Sequence, residues 1–157
     1  MAKVYVGLGS NLGNREKNLV SAITKINACK GIHVVNKSGF YKTKPIGGPA
    51  QPDYVNCVLE LDTDITPQKL LEKCKRIESE LGRTRGVRWG PRVIDIDILL
   101  YGSKVVNDHN LKIPHENMHT RIFVLEPLYE ISPDLKHPIL KKTIFELMKE
   151  LKVSIKN

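Results

Sequence analysis

Two stretches with helical spacing, each flanked by runs that alternate with a period of two, set the tightest limit on what this chain can fold into. Residues 3–8 alternate and are rich in β-branched side chains, and Gly9-Ser10-Asn11-Leu12-Gly13-Asn14 breaks the run. Over residues 15–28, Leu19, Ile23 and Ile26 recur at spacings of four and three, and Gly31 follows as a stop signal. Residues 32–41 read as a second strand and 54–61 as a third. Thr66-Pro67 opens a second helix with an N-cap and a proline at its first position. Leu70, Leu71, Cys74, Ile77 and Leu81 form its apolar stripe, Gly82 ends it, and residues 93–101 make a fourth strand closed by Gly102. The order βαββαβ predicts an α+β, ferredoxin-like arrangement, an antiparallel sheet with both helices on one face.

The remaining segments read as attachments to that frame. Residues 43–52 contain Pro45, Gly47, Gly48, Pro49 and Pro52, a composition that predicts a long exposed loop of the kind that carries function. After the fourth strand comes a C-terminal extension. It holds short strands at 105–106 and 111–114, a short helix over 120–126 ended by Pro127, and a last helix opened by the Thr143/Glu146 capping box. The 157 residues, 41% hydrophobic, suffice for one domain over residues 1–157 with a core that needs no staple.

Three cysteines without CxxC spacing indicate neither a disulfide framework nor a zinc site, and a reducing cytosol suits them. No apolar run approaches the ~18 residues of a membrane span, and no cleavage pattern follows Met1, so a soluble cytoplasmic protein is expected. Lys and Arg number 25 against 17 Asp and Glu, and the resulting +8 favours anionic partners. RNA-binding sheets of this type need aromatics in a Gly-aromatic signature, and the nine aromatics here are not so arranged, which argues against nucleic acid. The lysine-rich surface gives no sign of a large apolar interface, so a monomer is expected.

The chemistry concentrates in one segment, residues 88–99. On a strand, residues two apart share a face, so Asp95 and Asp97 project side by side, ~7 Å apart, while Ile94, Ile96 and Ile98 turn inward. Two such carboxylates repel unless a cation lies between them, and hard oxygen donors suit Mg²⁺, which is held by a few carboxylates plus substrate phosphates. A lone Asp-x-Asp more often marks the solvated face of a half-exposed strand. Arg83, Arg85, Arg88 and Arg92 immediately before the pair change the balance, because guanidinium forks match phosphate oxygens. Trp89 between them suits stacking on a heterocycle or pinning the loop to the core. His115, near Arg121 in sequence, extends the candidate phosphate site. The Gly7-to-Gly13 segment meets neither phosphate-loop pattern and reads as a strand-to-helix turn. A metal-dependent phosphohydrolase would share these residues with water as acceptor, and a non-catalytic nucleotide- or RNA-binding module would need the carboxylates only for metal.

Arg88-Trp89-Gly90-Pro91-Arg92 is followed by Asp95-Ile96-Asp97, and Gly9-Ser10-Asn11-Leu12-Gly13 stands near the start of the chain. Phe40-Tyr41-Lys42-Thr43, Gln51-Pro52-Asp53-Tyr54-Val55-Asn56, Pro114-His115 and residues 121–128 accompany them. By these motifs, and along essentially its whole length, the sequence resembles the 6-hydroxymethyl-7,8-dihydropterin pyrophosphokinase family. It implies diphosphate transfer from ATP to the pterin hydroxymethyl group, leaving AMP, on a ferredoxin-like fold. It also implies two Mg²⁺ ions on Asp95 and Asp97 and a triphosphate neutralised by Arg83, Arg92, His115 and Arg121. Arg85 and Arg88 would lie on a closing loop, and Glu78, Trp89 and Ile98 would belong to the nucleotide site. The implied pterin pocket is Thr43, Pro45, Ile46, Tyr54, Asn56, Trp89 and Phe123. Lys75 and Asn110 stand where other residue types contact ATP in some members, and the stretch between Arg85 and Arg88 is shorter than in some relatives.

Overall fold

The computed structural model describes residues 1–44, 50–82 and 93–156. Strand β1 (Ala2–Ser10) sends Val4, Val6 and Leu8 to one side of the sheet and Tyr5, Gly7 and Gly9 to the other. Helix α1 (Arg15–Ala28) starts on Asn14, whose side chain accepts from the Lys17 amide. β2 (Ile32–Lys37), β3 (Tyr41–Thr43) and β4 (Tyr54–Thr63) follow. Helix α2 (Pro67–Glu80) is capped by Thr66 and leads to β5 (Asp95–Tyr101). The strands lie in the order β2-β4-β1-β5, antiparallel throughout, with β3 beside the first residues of β4. This is the ferredoxin-like order expected from the sequence.

Two features of the sheet side differ from expectation. Residues 32–41 are not one strand: Ser38 donates its amide to the Val58 carbonyl and offers its hydroxyl, in place of a strand carbonyl, to the Val58 amide. The β2 ladder therefore ends at Lys37, and β3 resumes at Tyr41 on the Tyr54–Asn56 stretch of β4. The fourth strand begins at Asp95 rather than at residue 93.

The C-terminal extension turns two layers into three. Leu19, Ile26, Leu59, Leu70, Cys74, Ile77 and Ile96 pack α1 and α2 on one face, while Tyr5, Val58, Leu100, Met118, Leu125, Leu128, Ile144 and Leu147 fill the other. That second face is covered by α3 (Ile122–Ile131) and α4 (Ile144–Lys156), after a small hairpin of β6 (Val106–Asp108) and β7 (Leu111–Ile113). Pro127 does not end α3 but sits inside it. A proline interior to a helix costs about 3 kcal/mol. Leu125 and Leu128 on either side of it are fully buried, and this packing outweighs the cost. The expected capping box is present: Thr143 donates its amide to Glu146 Oε1 (3.0 Å), and its hydroxyl accepts the Glu146 amide (3.1 Å).

Candidate active site

The register of the sheet assembles the site. Residues directly opposite on antiparallel strands share a face. Tyr41 on β3 faces Asn56 on β4, Asn56 faces Gly9 on β1, and Gly9 faces Asp95 on β5. Two residues along, on the same face, Gly7 faces Asp97. Strands lie about 4.8 Å apart, so Asn56 and Asp95 are separated by about 10 Å with only a glycine between them. Asp97 is exposed and Asp95 half-buried, so both carboxylates are within reach of solvent.

Gly9 is a glycine because there is no room for more. A Cβ there would lie 2.7 Å from Asn56 Oδ1 and 3.4 Å from the Tyr54 ring. The Asn56 amide, almost fully buried, spans this gap and donates to Thr43 Oγ1 at 2.6 Å. Thr43, Tyr54 and Asn56 thus gather at one end of the β3–β4 pair. Phe123 belongs to α3, which covers that same face, and the Arg121 guanidinium lies 5.7 Å from its ring centroid.

Strand β5 is the border of the sheet, and two residues hold it. The Ile96 amide, between the two carboxylates in sequence, donates to Glu78 Oε2 at 2.8 Å, and the His115 amide donates to the Leu99 carbonyl at 2.9 Å. Glu78 is only 3% exposed, so a solvated helix face is not its environment. It aims at the strand from α2, with Lys75 Nζ 4.0 Å from its other oxygen. Glu78→Ala is expected to leave a buried amide without its acceptor, at about 1–3 kcal/mol. A lowered Tm in a thermal melt would read this, with Glu78→Gln, which keeps an acceptor oxygen, closer to wild type. An unchanged Tm for the alanine variant would show that the bond does not hold the strand.

His115 accepts the Asn117 amide at Nδ1 (3.2 Å), which leaves its proton on Nε2 while the ring is neutral. Burial pushes its pKa below the ordinary imidazole value, with the Asp97 charge pulling it up and the Arg121 charge pushing it further down. His115 therefore lies within the fields of both residues, and the three form one neighbourhood.

The turn after β1 brackets the proline-rich segment. Asn11, fully buried, donates to Gln51 Oε1 (2.6 Å) and to the Pro52 carbonyl (3.2 Å), and Arg15 donates to the Asp53 carbonyl (2.7 Å). Asn18 closes the turn itself through Ser10 Oγ and the Leu12 carbonyl. Gly13, at φ 71°, supplies the left-handed residue the turn requires. Asn11, Arg15 and Gly9 were not assigned roles from sequence alone. The usable signal for Gly9 was its spacing of two from Gly7, which strips side chains from one face of the central strand.

Of the other expected site residues, Arg83, Arg85, Arg88, Trp89, Arg92, Pro45 and Ile46 lie outside the described residues. Ile98 is 5% exposed and packs in the core beneath α1 and α2. A cavity of about 440 Å³ opens beside α2, lined by Gln68, Leu71, Glu72, Lys75 and Asn110. Among the described residues no three His, Cys, Asp or Glu side chains are grouped to hold a metal. The two β5 carboxylates offer hard oxygen donors on one face. That set fits Mg²⁺, which retains waters and takes phosphate oxygens, and not a fully protein-ligated ion.

Comparison with known proteins bears on the fold and on the family. The family model described as 7,8-dihydro-6-hydroxymethylpterin-pyrophosphokinase (HPPK) matches residues 5–133. The 2-amino-4-hydroxy-6-hydroxymethyldihydropteridine pyrophosphokinase of Haemophilus influenzae is 46% identical over 150 residues, covering 96% of this chain and 93% of that protein. The protein of the same name from Methylorubrum extorquens is 47% identical over 135 residues, covering 86% and 85%. Among solved structures, an HPPK-DHPS in complex with substrates superposes with a TM-score of 0.80 at 14% identity over 98% of this chain. The Plasmodium falciparum HPPK-DHPS with pterin and p-hydroxybenzoate gives 0.78 at 16% identity over 99%. This chain spans 44% of each of those two solved chains, and at such identity they share its fold. The chain belongs to the 7,8-dihydro-6-hydroxymethylpterin-pyrophosphokinase family.

Proposed function

We propose that this protein transfers the diphosphate group of ATP to the hydroxymethyl oxygen of 6-hydroxymethyl-7,8-dihydropterin, releasing AMP, in folate biosynthesis. The observation that carries the reading is the row Asn56–Gly9–Asp95. It sets an amide able to read a heterocycle edge two strands from a carboxylate pair suited to a metal–phosphate complex. The pterin hydroxyl oxygen bonds to the β-phosphorus, the bond from that phosphorus to the oxygen bridging it to the α-phosphorus breaks, and AMP leaves with that oxygen. The hydroxyl proton passes to solvent.

Each residue has a share in this scheme. Asp95 and Asp97 would hold two Mg²⁺ ions, which when bound supply positive charge against the triphosphate. Phe123 packs on a ring face, and Asn56, with Thr43 and Tyr54 beside it, reads the ring edge. By the family resemblance, Pro45, Ile46 and Trp89 would also contact the pterin. His115 and Arg121 neutralise phosphate charge, and by the family resemblance Arg83 and Arg92 would add to it while Arg85 and Arg88 would help to exclude water from the nucleotide. The cavity beside Lys75 and Asn110 takes the nucleoside end. Ile98 and Glu78 support that nucleotide side from within, Glu78 by holding the strand that bears the carboxylates. The same reading takes residues 1–157 as one domain and a cytoplasmic monomer acting on small molecules, with no nucleic-acid or membrane partner. Among the described residues no helix is long and apolar enough to cross a membrane.

The test is to mix the purified protein with ATP, Mg²⁺ and the pterin and to separate the nucleotides by anion exchange. AMP that appears only with pterin is the expected result. ADP would mean single phosphoryl transfer, AMP without pterin would mean hydrolysis, and tight ATP binding without product would mean a binding module.

A further inference from the structure

The break between β2 and β3 leaves a backbone amide turned away from the sheet, and a side chain from a distant helix collects it. The Gly39 amide donates to both oxygens of Glu130, at 3.0 and 3.1 Å, and the Tyr41 hydroxyl donates to Glu130 Oε1 at 2.5 Å. The Tyr41 hydroxyl is pushed up to about 12, first by this bond and then by burial. Three hydrogen bonds thus converge on one carboxylate at the C-terminal end of α3.

Both partners of this clasp lead to the pterin side of the site. β3 is three residues long, and its Tyr41, Lys42 and Thr43 pair with Asn56, Val55 and Tyr54. Thr43, its last residue, receives the Asn56 amide. On α3, Glu130 lies seven residues after Phe123. Two helical turns put both side chains on one stripe of the helix. A single helix therefore presents Phe123 near its start and the clasp near its end, both towards β3 and β4.

We infer that Glu130 is a positioning residue for the acceptor substrate: by holding Gly39 and Tyr41 it fixes α3 against the β3–β4 pair, and with it the width of the slot between Phe123 and Asn56. This rests on the reading of that slot as the pterin site. Glu130 is exposed, so the clasp adds little to global stability, and its loss is to be read in substrate binding rather than in unfolding.

The test uses the full chain and steady-state AMP formation, with ATP and pterin varied in turn, for wild type, Glu130→Gln, Tyr41→Phe and the double variant. Glutamine keeps the shape but sets an amide donor against the Gly39 amide, and phenylalanine removes only the hydroxyl. The expected result is a pterin KM raised about fivefold to tenfold in Glu130→Gln, with the ATP KM within about twofold of wild type. Tyr41→Phe should move in the same direction by less. The double variant should fall short of the product of the two single effects, because both act through one carboxylate. An unchanged pterin KM in both single variants would overturn the inference, as would equal rises in both KM values together with a lowered Tm. Wild-type protein that makes no pterin-dependent AMP would instead overturn the functional reading, and the inference with it.

Discussion

Asp97→Asn is expected to lower turnover by about a thousandfold, the scale seen when one preorganised charge-stabilising group is removed from an active site. The substitution deletes half of the only described pair of carboxylates that share a strand face on β5. It should leave the fold unharmed, because Asp97 is exposed and its removal relieves repulsion with Asp95. In the absence of Mg²⁺, the Tm of the variant should equal or exceed that of wild type. Titration calorimetry of ATP with and without Mg²⁺ checks the cause: the metal should strengthen nucleotide binding in wild type and do so far less in the variant. Near-normal turnover, or a fall in Tm of several degrees, would remove Asp97 from the metal site.

Gly9→Ala is expected to weaken pterin use about tenfold to hundredfold, as overpacking by one methyl group costs roughly 1–3 kcal/mol. The backbone cannot retreat, because Gly9 is paired with Asn56 on one side and Asp95 on the other. The Asn56 amide, 2.7 Å from the added carbon, must therefore swing away and release Thr43. Nucleotide binding, which does not use that amide, should persist. Placing Gly9→Ala in an Asn56→Ala background gives the decisive comparison: with the colliding oxygen gone, the methyl group should add little further loss. A full additional loss there would locate the damage elsewhere in the strand. At Gly7 the corresponding Cβ would meet only the Leu99 side chain, at 3.5 Å and beyond, an ordinary contact.

Much of this was readable from sequence where the determining interactions are local. Period-two alternation set Asp95 and Asp97 on one face, and spacings of three and four found α1 and α2, the second with its Thr66 cap. What escaped depends on residues far apart in the chain. Residues 32–41 are rich in strand-forming side chains, and their break is made by Ser38 on Val58 and by Glu130, 91 residues from Gly39. Pro127 obeys burial by the sheet rather than its local helix-breaking tendency. The Asn11–Gln51 bracket spans 40 residues and joins two motifs that carried the family resemblance without saying what they do to each other. Glu78 was named for the nucleotide site, and its burial against β5 was the most recoverable of these. It falls four residues after Cys74 and seven after Leu71, along the flank of the buried stripe, where a solvated carboxylate has no place.

The bond from Glu78 to β5 also bears on how these molecules behave towards one another at high concentration. A sheet border with free amides and carbonyls is a template on which a second chain can lay a strand. At β5 that template is occupied, with Glu78 on the Ile96 amide and the His115 amide on the Leu99 carbonyl. The opposite border, β2, is guarded by other means: its register slips between Val34 and Asn36, and it ends in the exposed residues Asn36 and Lys37. The strand that bears Asp95 and Asp97 can thus lie at the rim of the sheet, with one carboxylate exposed, without inviting the growth of a continuous intermolecular sheet.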